Sequence, residues 1–161
     1  MKKITQLLTA LVFCSLIVFV SCKKDSGGED PDPQADFGAA LVGSWTLQSA
    51  THSSDGDRTE WSGLTLNWTF DTETKTGTYT PSGVPDNAGA ADVFGENGTS
   101  VTWSFAGEGT SSIERGGGLS NVTIVTDSEE NPTSATLTFD VTGSGSRVAG
   151  FDGSWTFVFS L

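Results

Sequence analysis

The chain has 161 residues, with 8 Lys plus Arg against 20 Asp plus Glu, and this length fits one domain once a leader is set aside. Lys2, Lys3, Lys23 and Lys24 all lie near the N-terminus, so the remainder is strongly acidic, which excludes nucleic acid and anionic lipid headgroups as natural partners. Two cysteines, Cys14 and Cys22, and a single histidine, His52, leave no basis for a disulfide framework, a thiolate metal cluster or a histidine-rich metal site.

Residues 1–21 read as a secretion signal: Met1-Lys2-Lys3 is a positive start, Ile4 to Val20 is largely apolar, and Phe19-Val20-Ser21-Cys22 follows. At about 17 residues the apolar run is short for a spanning helix, so an uncleaved anchor and ordinary secretion are the lesser alternatives. The end of the run resembles the lipobox of Gram-negative lipoproteins, with Ser21 and Cys22 matching and Phe19 standing where Leu is usual. That resemblance implies lipidation of Cys22 with palmitate-type acyl chains and a membrane partner reached through this anchor. Several acyl chains on one cysteine anchor stably, where a single chain does not. The expected location is the cell envelope, and Lys23 rather than Asp after the cysteine favours the outer membrane. Residues 22–36 are acidic, carry Pro31 and Pro33, and hold no apolar side chain larger than Ala35. They read as a disordered tether extending at roughly 3 Å per residue.

From residue 37 to 161 the pattern is that of one all-β domain. Apolar side chains alternate with polar ones at Trp45 and Leu47, at Leu64, Leu66, Trp68 and Phe70, and at Val101, Trp103 and Phe105. The alternation continues at Val122 and Ile124, at Leu137, Phe139 and Val141, and at Trp155, Phe157, Phe159 and Leu161. Period two marks half-buried strands. Shorter runs at 77–80 and 111–115 bring the count to about eight, no stretch has a helical period, and Asn97-Gly98, Gly116-Gly117-Gly118 and Asp152-Gly153 mark turns. The expected fold is an antiparallel meander closed as an up-and-down barrel, with a β-sandwich as the alternative.

Leu41-Val42-Gly43-Ser44-Trp45 resembles the opening strand of lipocalin-like domains, with Gly43 and Trp45 in the G-x-W positions, and 150–161 is similar to the closing strand of small lipocalin-like lipoproteins. The resemblance implies structural roles for Gly43 and Trp45, and for Arg147 as the arginine packed across that tryptophan.

The pattern Trp-[Ser/Thr]-Phe occurs at 68–70, 103–105 and 155–157. Alternation sends both rings of each triplet to one side, so six rings converge on the lumen of a barrel that eight strands make only just wide enough for side chains. They either fill it, or Trp68, Trp103, Phe105 and Trp155 line a pocket for a small apolar or planar ligand.

Other constellations are weaker. His52 sits beside the turn Ser53 to Asp57 and reads as part of a solvated hairpin tip. Asp55, Asp57 and Glu60 are possible calcium ligands in a loop too short for an EF-hand. Asp140 points outward, and Glu114-Arg115 reads as surface. With no nucleophile, base and orienting group to assemble, the domain reads as non-enzymatic and cofactor-free, with no metal. Pro81 to Gly98 is long for a structureless loop and is either a lid or recognition loop or an idle extension, docked by Val93 and Phe94. The expected function is a membrane-anchored, lipocalin-like lipoprotein with a largely filled barrel and an envelope or interaction role. The alternative is a module binding a small apolar ligand at the barrel mouth.

Overall fold

The computed structural model describes residues 31–87, 89–142 and 151–161, and the fold below is that of Asp32–Leu161. Cys22, the signal and most of the tether lie outside the described residues, as does Arg147. The described residues form nine strands: β1 (Gly43–His52), β2 (Gly56–Asp57), β3 (Thr65–Asp71), β4 (Thr76–Ser82), β5 (Val101–Phe105), β6 (Ser112–Arg115), β7 (Val122–Thr126), β8 (Ser134–Val141) and β9 (Gly153–Ser160).

All neighbours pair antiparallel, in the order β2-β1-β3-β4-β5-β6-β7-β8-β9, and β1 also pairs with β9. That last pairing makes the fold a closed eight-stranded barrel and excludes the sandwich; the two-residue β2 is an addition beside the end of β1. β1 can serve two neighbours because its first half, Gly43 to Thr46, pairs with β3 while Thr46 to His52 pairs with β9, with a register shift between Leu47 and Ser49. Such a shift bends a strand and helps a sheet turn into a barrel.

The alternating apolar residues point inward. Trp45, Leu66, Trp68, Trp103, Phe105, Ile124, Leu137, Phe139, Trp155, Phe157 and Phe159 are all buried. Leu161 departs from the expected run: it lies one residue beyond β9 and is 58% exposed, resting against Gly43.

Two short helices were not foreseen. α1 (Pro33–Ala40) begins inside the stretch read as tether: Pro33 suits a first helical position, and the Asp32 carboxylate accepts from the backbone N–H of Gln34 and Ala35 at 3.1 and 3.3 Å. An ion pair of 2.5 Å to Lys75 and the hydrogen bond it carries hold the Asp32 carboxyl below its ordinary range. One end of the barrel is closed by this helix, through buried Phe37 and the Leu41 that follows it, with Gly38 set against the Phe70 ring. Gln34 ties α1 to the β5–β6 turn by donating to the carbonyls of Gly107 and Gly109, and the Trp45 indole donates to Leu41 O at 2.8 Å. α2 (Ala91–Phe94) lies at the other end.

The β7–β8 turn is held by Asp127, whose carboxylate accepts from Thr133 Oγ1 at 2.6 Å and from the N–H of Thr133 and Ser134 at 2.9 Å. These bonds lower its pKa to about 2. A depressed folded-state value stabilises the fold above the ordinary carboxylate range and is lost as pH falls through it. Wild type is therefore expected to exceed Asp127→Asn in urea stability at neutral pH, with the gap closing between pH about 4 and about 2. A gap independent of pH would contradict the assigned role.

Candidate functional site

The lumen is the first place to look, because the inward strand positions meet there. Three of the four residues named for a pocket form one cluster: Trp103 lies 5.3 Å from Trp68 and 5.4 Å from Phe105, with Phe70 stacked on it at 5.2 Å. The fourth, Trp155, belongs to a second cluster with Phe157, Phe151 and Trp61. Tyr79 and Phe94 join the two, since Tyr79 is 5.2 Å from Trp68 and 6.4 Å from Phe94, and Phe94 is 4.7 Å from Phe157. A lumen cavity bordered by Leu41, Trp45, Trp68 and Phe159 has a volume of about 10 Å³. That is about the least that holds one water, and its walls are apolar.

Sequence reading missed Trp61, and it named Val93 and Phe94 as docking residues without the place where they dock. Trp61 enters from the 3-10 turn Thr59–Trp61 and is fully buried. Phe94 enters from α2, so the long β4–β5 connection is neither an outer lid nor an idle extension: it is a plug, with Val84, Ala90, Val93 and Phe94 buried. The turn closes on itself through Asn97, which accepts from Val84 N–H at 2.8 Å and donates to Val84 O at 2.9 Å.

The main polar feature of the lumen is Arg115, the last residue of β6. It was read as surface from its acidic neighbour, yet it is 7% exposed, while Glu114 is exposed. Alternation explains the correction, because Ile113 and Arg115 share the inward face. Its Nε donates to Ser120 O at 2.7 Å, and its Nη1 donates to Val93 O at 2.7 Å and to the Tyr79 hydroxyl at 3.4 Å. The guanidinium carbon lies 4.3 Å from the centre of the Phe139 ring and 5.7 Å from that of Phe94. Nη2 is buried with no partner among the described residues. Burial pulls the Arg115 pKa down and pushes that of the Tyr79 phenol up. All the hydrogen-bond acceptors of this cation are neutral. π faces and carbonyls compensate part of its desolvation, but an orphaned buried donor costs roughly 1–3 kcal/mol, and more when charged.

Two further groups correct the sequence reading. His52 is buried, 4.6 Å from Trp155, with Nδ1 3.2 Å from Asp55 Oδ2 and Nε2 3.0 Å from Asp152 O. Both ring nitrogens thus face oxygen acceptors, not a hydroxyl nucleophile. Asp55 and Glu60, considered for calcium, instead pair with Arg58, and no three His, Cys, Asp or Glu side chains group for a metal among the described residues. Asp140 does point outward and accepts from Ser154 Oγ. On the outer wall, cross-strand polar residues including Asp71, Thr76 and Glu114 border an open groove of about 640 Å³ that Phe70, Trp103 and Arg115 also line.

Comparison of the chain with protein-family models, with curated proteins and with solved structures finds no match.

Removing the Asn97 amide frees both Val84 backbone groups, so Asn97→Ala is expected to cost about 1–2 kcal/mol in urea unfolding. Amide exchange should accelerate across the 84–98 segment. Unchanged exchange there would show that the apolar docking of Val93 and Phe94 holds the plug unaided.

Proposed function

We propose that the chain is an exported, membrane-anchored lipoprotein of the cell envelope, lipocalin-like in build and non-enzymatic. In this reading acyl chains on Cys22 hold it at a membrane, with the outer membrane favoured, and the barrel is a rigid interaction module working through its outer wall and loops. The observation that carries the reading is the filled lumen: rings from every triplet, plus Trp61 and Phe94, occupy the interior and leave no ligand-sized space beside Trp68 and Trp45. The groove on the outer wall and the excess of acidic residues turn the search for partners outward. The reading is supported by Gly43 opening β1 and by the buried Trp45, whose indole donates to Leu41 O.

A second reading, a binding module for a small apolar ligand entering at the mouth, is favoured by one observation: the buried Arg115 with its unpartnered Nη2.

Two measurements test these readings. Cys22→Ser is expected to abolish acyl labelling and to release the protein from membranes or block its processing; unchanged labelling and retention would end the lipoprotein assignment. Trp103→Ala removes a side chain packed among Trp68, Phe70 and Phe105, and should cost roughly 3–5 kcal/mol in urea unfolding. A loss below about 1.5 kcal/mol, together with saturable, Trp103-dependent binding of an apolar dye, would put the second reading first.

A further inference from the structure

We propose that Asn97-Gly98, the one Asn-Gly pair in the chain, is a self-modification site that times the opening of the plug. Once the segment lifts, Asn97 converts to aspartate and isoaspartate with water as the only reagent, and neither product remakes the clasp to Val84.

The chemistry starts from the residue after the amide. Gly98 has no side chain to crowd the approach of its backbone nitrogen to Asn97 Cγ, and it lends the pair conformational freedom. In the reaction the Gly98 nitrogen gives its proton to base and attacks Cγ. The N–Cγ bond forms, the Cγ–Nδ2 bond breaks, and Nδ2 leaves as ammonia with a proton from water. Water then opens the cyclic imide. Addition at Cγ yields aspartate, and addition at the main-chain carbonyl carbon of residue 97 yields isoaspartate, whose backbone runs through the side chain and is one carbon longer. No oxidant or reductant takes part.

The closed plug holds both reacting groups apart. The Gly98 N–H donates to Pro81 O at 2.8 Å, and the Asn97 amide is fixed at both ends, accepting from Val84 N–H at 2.8 Å and donating to Val84 O at 2.9 Å. Bringing the Gly98 nitrogen onto Cγ breaks these bonds. Conversion therefore waits for local opening, even though Asn97 and Gly98 are both exposed to water.

The products act in the other direction. Aspartate still accepts from Val84 N–H, but it sets a carboxylate oxygen against Val84 O where the amide had a donor, and it adds a charge beside exposed Glu96. Isoaspartate also shifts the Gly98 N–H away from Pro81 O by lengthening the main chain. What then holds the plug is the Val93 carbonyl on Arg115 and the buried Val84, Ala90, Val93 and Phe94. Opening promotes conversion and conversion promotes opening, so the pair is a clock that runs one way.

The test follows the wild-type full chain in mildly alkaline buffer, native and in guanidinium chloride, by peptide mass mapping of amide-to-acid conversion, with aspartate and isoaspartate separated by chromatography. Unfolded chain should convert at Asn97 well before Asn121, which precedes the branched Val122. Native chain should convert at Asn97 about 5-fold or more slowly than unfolded chain. Phe94→Ala, which loosens the plug and leaves the pair unchanged, should narrow that ratio. Converted chain, separated by its added charge, should exchange amides across 84–98 faster than unconverted chain, with exchange in the strands unchanged. Equal native and unfolded rates would overturn the masking by the plug, and no conversion in either state would overturn the site itself. Unchanged exchange in converted chain would overturn the release. The wild-type comparisons decide if Phe94→Ala fails to fold.

Discussion

An eight-stranded barrel encloses a volume that only its own side chains can fill, and almost everything in this structure answers to that constraint. The inward face supplies Trp45, Trp68, Trp103, Trp155 and six of the phenylalanine and tyrosine rings, yet the strands alone do not close the ends. The chain closes them with what lies between strands: α1 brings Phe37 to one end, and the 3-10 turn and α2 bring Trp61 and Phe94 to the other. Fully or partly buried rings in edge-to-face contact add about 0.5–1.5 kcal/mol per pair to the burial of their area. The network running from Phe105 through Trp68, Tyr79 and Phe94 to Trp155 therefore couples both ends through one packed interior.

Against this apolar filling stands one charge. The described basic residues are Arg58, Lys75 and Arg115; the first two pair with surface carboxylates, and the third is placed inside, among carbonyls and π faces. A chain so rich in carboxylates could have offered a counter-ion, and the lack of one for Arg115 among the described residues sets it apart from an ordinary buried ion pair. The cation binds the plug to the wall through Val93 O and thereby links the state of the lumen to a single loop.

The strands were legible because each carries apolar residues at period two, and the outward Thr and Ser positions keep that signal clean. The closure of the sheet into a barrel was legible only as one of two options, since pairing of β1 with β9 depends on a register shift that no local pattern encodes. The end closures were hidden for different reasons. α1 starts on the second of two prolines in an acidic run, and only Phe37 and the Leu41 just past its end stand at helical spacing, so composition masked it. Trp61 and Phe94 sit in stretches dominated by polar and glycine residues, where periodicity has nothing to act on. Arg115 was misread because adjacent charge was given more weight than strand phase, which turns it inward with Ile113, whereas His52 is out of phase with Trp45 and Leu47 and is buried because the register shift between Leu47 and Ser49 reverses the alternation of β1.

The central claim is that the lumen is filled by rings, and the five tryptophans report on it directly, since Trp45, Trp61, Trp68, Trp103 and Trp155 are each at most 4% exposed. Acrylamide quenching of native tryptophan fluorescence measures their access to solvent. The account expects a blue-shifted emission with quenching close to that of a fully buried indole, rising to the free-indole level only on unfolding. A substantial readily quenched fraction in the native state would show that the lumen is open to solvent and contradict the account.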